Sequence, residues 1–115
     1  MHNNIHNYIR EYIEAAIEYG EGIQNGDTKR SDKYFDKIEK LYNKLRMLGD
    51  SGLDELSVLL NHEKESVKLW ASAHLLNYSK YESYKVLEDI KDSGSILGLT
   101  AEITLDQWKH GNIKY

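Results

Sequence analysis

The second half of the chain aligns with itself at an offset of thirty residues. Leu56 matches Val86, Leu60 matches Ile90, Val67 matches Leu97, Ala71 matches Ala101 and Leu75 matches Leu105. A period of this length, with room for two helices, is the signature of stacked helical hairpins. Within each period the apolar residues recur at three- and four-residue spacing, which lines one face of a helix. Ala71 and Ala101 fall mid-helix, where a longer side chain would hold neighbouring layers apart. The chain has no proline, whose ring would break helices of this kind. No run alternates apolar with polar residues, and no Asn-Gly or Asp-Gly pair joins two such runs, so strands are not expected.

The spacing predicts six helices in a single domain over 1–115. The first runs from about Asn4 to Gln24, with Ile5, Ile9, Tyr12, Ile13, Ala16 and Ile17 on one face and Glu11, Glu14, Glu18 and Glu21 opposite. Gln24-Asn25-Gly26-Asp27 stops it, and Asp27 or Thr28 can cap the next. The second, about Lys29 to Leu48, turns Tyr34, Ile38, Leu41, Leu45 and Leu48 inward and carries a basic stripe of Arg30, Lys33, Lys37, Lys40 and Lys44. The short link between the two implies an antiparallel hairpin. Shorter helices follow over Leu53 to Leu60, Glu65 to Asn77, Ser79 to Lys91 and Ile96 to Lys109. Ser51-x-x-Asp54 and Ser79-x-x-Glu82 have the pattern of capping boxes.

At 115 residues, with 40% hydrophobic and 30% charged, the chain can bury one core. No apolar run approaches the ~20 residues needed to span a bilayer. The opening MHNNIHNYIR lacks a basic region followed by an apolar block, so neither a membrane anchor nor an export signal is expected and the cytoplasm is the default compartment. With no cysteine, disulfides and thiolate metal sites are excluded. The sequon Asn77-Tyr78-Ser79 carries no weight without export. A net charge of −4 argues against nucleic acid as a partner and suits a basic protein. Nine tyrosines and two tryptophans beside one phenylalanine fit core margins and interfaces equally.

The stretch Leu59-Leu60-x-His62 followed by Val67-Lys68-x-x-Ala71-x-x-x-Leu75 resembles a HEAT repeat. The usual turn proline is missing from Asn61-His62-Glu63. Glu21-Gly22-x-x-x-Asn25-Gly26-Asp27, the lysine-rich helix, Leu69-Trp70-Ala71-Ser72-x-His74 and Leu97-Gly98-Leu99-x-Ala101-Glu102-x-Thr104-Leu105-x-x-Trp108 together are similar to a small bacterial HEAT-like, armadillo-type family. The resemblance covers nearly the whole chain. It implies an all-α fold, an α-α superhelix with a long N-terminal hairpin and two short HEAT-like hairpins, and it implies function hardly at all.

No motif identifies a reaction. His62-Glu63 with His74 fails the H-E-x-x-H zinc pattern because position 66 is Ser66, and His74 is expected to donate a hydrogen bond at a layer boundary instead. His2 and His6 have the i, i+4 spacing of two ligands but no third. Neither G-x-G-x-x-G nor a phosphate-binding loop occurs, and Gly94-Ser95-x-x-Gly98 reads as a helix stop and cap. No enzyme, metal or cofactor is therefore expected.

What remains is surface. The acidic stripe Glu11, Glu14, Glu18 and Glu21, flanked by Tyr8 and Tyr19, is the expected docking face for a basic protein. Tyr78 and Tyr81, at the link between hairpins, are expected to be exposed anchors. Trp70 and Trp108 are read as core and end-cap packing. The expected function is a non-enzymatic protein-binding module, in its most concrete form an immunity protein that neutralises a basic toxin domain by occlusion. The alternatives are a nucleic-acid binder, related to alkylation-repair repeats and using Lys33, Lys37 and Lys40, or a structural homo-oligomer; the oligomeric state is open.

Overall fold

The turn after the first helix shows how closely the local chemistry sets the chain path. Gly26 takes the left-handed conformation with φ +70°, which only glycine adopts without strain. The Gly26 amide donates to Ile23 O at 3.2 Å and the Asp27 amide to Gly22 O at 2.8 Å, the paired bonds of a Schellman ending. Asp27 then opens the second helix: its carboxylate accepts from the Arg30 amide at 3.1 Å. One residue closes α1 (His2–Gln24) and caps α2 (Thr28–Met47).

The structure, a computed structural model, describes residues 2–113 and Tyr115; the side chains of His2 and Asn3 lie outside this description, and with them the expected His2–His6 pair. Six α-helices and no strand occur among the described residues. After the long hairpin come α3 (Asp50–Ser57), which tightens into a 3₁₀ turn at Val58–Asn61, then α4 (Glu65–His74), α5 (Lys80–Asp92) and α6 (Gly98–Lys109). α1 packs along α2, α4 packs on α5 and also reaches α1, and α5 packs on α6. The chain is therefore all-α.

The buried row on α1 is Tyr12, Ala15, Ala16 and Tyr19. The isoleucines expected there sit half-buried on its flanks, because the small alanines let α1 approach closely at the centre of the row. On α2, Ile38, Leu41, Tyr42 and Leu45 are buried and Leu48 is not, since the helix ends at Met47. α4 has no wet face to speak of: every residue from Ser66 to His74 is buried except Lys68. Such a helix is the centre of a domain. The thirty-residue offset is visible in burial, with Leu60, Val67, Ala71 and Leu75 as fully enclosed as Ile90, Leu97, Ala101 and Leu105.

Both capping boxes fail. α3 starts earlier than expected, at Asp50 after Gly49, so Ser51 lies inside it. Ser79 does stand at the N-cap of α5, but its hydroxyl makes no capping bond. Position alone does not make a cap when the backbone dihedrals, here φ −127° and ψ 66°, aim the side chain elsewhere.

Candidate functional site

His74, the last residue of α4, is buried, and both of its ring nitrogens have partners. Its Nδ1 lies 2.7 Å from the Tyr12 hydroxyl and its Nε2 2.5 Å from Glu39 Oε2. Tyr115 donates to the other Glu39 oxygen at 2.9 Å. Tyr42 lies parallel to the imidazole with ring centres 4.1 Å apart, and Tyr115 meets it edge-on at 4.5 Å. Asn77 fixes the last residue from outside, donating to Tyr115 O at 3.1 Å.

The protons follow from burial. Loss of solvation pushes the His74 imidazole below its ordinary pKa, more than the Glu39 contact raises it. Burial also pushes the Glu39 carboxyl up, but the hydrogen bonds from His74 and Tyr115 outweigh it and leave the group below its ordinary value. Burial pushes the Tyr12 hydroxyl well up, so it keeps its proton. One assignment satisfies every partner: Tyr12 O–H donates to Nδ1, Nε2–H donates to the Glu39 carboxylate, and Tyr115 O–H completes that carboxylate's bonds. Neither nitrogen is left to take a proton from a substrate or to bind a metal. The centre ties α1, α2, α4 and Tyr115 together, with His74 donating to Glu39 of α2.

His62 is engaged separately. Its Nδ1 accepts from the Lys64 amide at 3.0 Å, so it holds its own turn and does not join His74. Among the described residues no three His, Asp or Glu side chains gather around a point where a metal ion would fit. No helix among them is long and apolar enough to cross a membrane.

The acidic stripe of α1 is largely engaged by the neighbouring helix. Glu18 accepts from Arg30 Nε at 3.1 Å and Nη2 at 2.6 Å, Glu21 stands 3.7 Å from the same guanidinium, and Glu11 stands 3.9 Å from Lys37. Glu14 meets, among the described residues, only Arg10 of its own helix, at 3.9 Å. The acids of α1 and the bases of α2, separate in the sequence, thus form one seam between the two helices. Tyr19 is 8% exposed, edge-on against Trp70 at 5.1 Å; it offers no ring to a partner, which corrects its expected place on the docking face. Tyr8 is half-buried with Lys44 Nζ 5.3 Å from its ring.

Tyr78 and Tyr81 are on the surface as expected, and Tyr81 is 88% exposed. Tyr78 donates to Asp54 Oδ1 on α3 at 2.7 Å, a bond that holds its hydroxyl up to about 12. Asp50, Asp54 and Glu55 have no Lys, Arg or His partner among the described residues. Beside them Met47 is 84% and Val58 65% exposed. Of this end the sequence marked Tyr78 but not the acids of α3, because α3 is short and its acids make no long stripe. The signal available was Val58, an apolar residue out of step with Leu56, Leu59 and Leu60.

Comparisons with protein-family models, curated proteins and solved structures find no match to this chain.

Proposed function

We propose that this is a non-enzymatic protein-binding module on a HEAT-like helical scaffold, acting in the cytoplasm. Its most concrete form is an immunity protein that occludes a basic toxin domain. The carrying observation is the end of the molecule where α3 meets the α4–α5 link. There, the carboxylates of Asp50, Asp54 and Glu55, which have no Lys, Arg or His partner among the described residues, lie beside the exposed side chains of Met47, Val58 and Tyr78. A surface of this composition combines charge that guides encounter with aromatic area that holds the complex. The α1 stripe contributes less, because a basic partner would have to displace Arg30 and Lys37 from it. The His74 centre supports the same reading, since its polar atoms are engaged with one another.

The test is co-purification of the tagged protein from its host after a moderate salt wash, followed by charge reversal on each face separately. A one-to-one complex with a basic protein is expected. Reversing Asp54 and Glu55 to lysine weakens it about tenfold or more, while Glu14→Lys leaves it nearly unchanged. Equal tolerance of both reversals removes the α3 reading, and loss with Glu14→Lys alone returns the partner to α1.

A further inference from the structure

A second surface, of opposite charge, lies where α5 meets α6. Tyr81, Tyr84 and Trp108 wall a groove of about 640 Å³, and three lysines, Lys80, Lys85 and Lys109, stand around it with one carboxylate, Glu88. Tyr84 and Trp108 meet edge to face at 6.0 Å. The Lys80 ammonium is 5.6 Å from the centre of the Trp108 ring, and that of Lys109 is 5.8 Å from the centre of Tyr84. At these distances the ring faces attract the cations and hold them over the groove. The Trp108 ring is itself fixed, because its Nε1–H donates to Asn77 Oδ1 at 3.0 Å.

Local structure does not explain Lys80. It is the first residue of α5, where the aligned amides of the helix repel a cation. No carboxylate among the described residues pairs with it or with Lys109, whereas Lys85 reaches Asp89 at 3.7 Å on the open surface. Lys109 at least suits the last turn of α6. A chain of net charge −4 therefore keeps two unpaired ammonium groups over aromatic rings in one groove, one of them at the less favourable end of its helix.

We propose that this groove binds an acidic peptide segment of another protein. Carboxylates of the peptide meet the Lys80 and Lys109 ammonium groups, and an apolar or aromatic side chain enters between the three rings. A nucleic acid offers the same charge but meets more repulsion. Glu88 lines the groove as well, and a continuous phosphate chain crossing it would have to pass that carboxylate. A peptide places carboxylates only where the lysines stand. This site is independent of the α3 face, and Asp54→Lys leaves it intact.

The experiment is a binding screen of the whole protein on an array of random dodecapeptides, repeated with two variants. Lys80→Glu removes a cation from a helix start and so favours the fold; Tyr81→Ala removes a ring that is 88% exposed and leaves the core untouched. The expected result is selection of peptides with Asp or Glu beside an aromatic or aliphatic residue, each bound about tenfold more weakly by either variant and progressively more weakly as salt rises. Three results overturn the proposal. One is no selection for acidic peptides, or selection that both variants retain. The second is tighter binding of a twelve-residue oligothymidylate than of the selected peptides. The third is a dimer, detected by light scattering, that Lys80→Glu dissolves, which would make the occupant a second copy of this chain.

Discussion

At the scale of single residues, the buried His74 couples the stability of the fold to pH. In the unfolded chain its imidazole takes up a proton near pH 6.5; in the folded chain burial delays that uptake to lower pH. Protons thus favour the unfolded state across this window, and stability is complete above it and falls as the pH drops through it. Glu39 adds a second loss. Its folded pKa lies below the ordinary 4.5, so its contribution is present above that value and declines as pH falls beneath it. Denaturant melts between pH 8 and 4 are expected to show stability falling from about pH 6.5 downward, at no more than about 1.4 kcal/mol per pH unit for one proton. His74→Phe keeps a ring against Tyr42 and flattens the first part of that fall, at a cost of about 1–3 kcal/mol for stranding the Tyr12 and Glu39 partners. A variant with an unchanged pH profile would separate acid sensitivity from this centre. Gly52 is the other decisive residue. A Cβ there would stand 2.0 Å from Leu45 O, and backbone cannot yield as a side chain does. Gly52→Ala is expected to lower stability by about 1–3 kcal/mol in the same assay, because α3 must move off α2.

Among the elements, the long hairpin was the most legible. Its apolar spacing, its Asn25-Gly26 stop and the Asp27 cap all stand in the local sequence, and the structure follows them within a residue or two. Asp27→Ala is expected to cost about 1 kcal/mol, with the loss of amide-exchange protection confined to the first turn of α2; protection lost evenly across the chain would contradict a purely local role. The charged stripes were legible as stripes but not as a pair. Glu18 and Arg30 are twelve residues apart, and only the closing of the hairpin brings the acids of one helix against the bases of the next. Read on an isolated helix, the acidic stripe had looked like a docking face. The two capping boxes failed for a related reason: a four-residue pattern names candidate partners, while tertiary packing sets the dihedrals and decides whether they meet. α4 misled least about its existence and most about its surroundings. Its Val67, Ala71 and Leu75 spacing marks one face, yet the other faces are buried too.

For the molecule as a whole, function lies in how surfaces are grouped. The all-α class was contained in the sequence, because three- and four-residue spacing, two-helix repeats and the absence of proline act through the backbone and each restricts the chain without reference to distant residues. The thirty-residue offset matched buried positions at Leu60 and Ile90, Val67 and Leu97, Ala71 and Ala101, and Leu75 and Leu105, but not at Leu56 and Val86, where Val86 is half-buried and Leu87 takes the core place. Tertiary structure alone decided three things. It joined Tyr12, Glu39, His74 and Tyr115 into one proton-ordered centre across separations of up to 76 residues. It withdrew most of the α1 carboxylates into a seam and left those of α3 open. It also set Lys80 and Lys109, from different helices, over the rings of Trp108 and Tyr84. The physical reason is common to all three. Hydrogen bonds, ion pairs and cation–π contacts act over a few ångströms, and which side chains come that close is fixed by how the helices pack rather than by how far apart they stand along the chain.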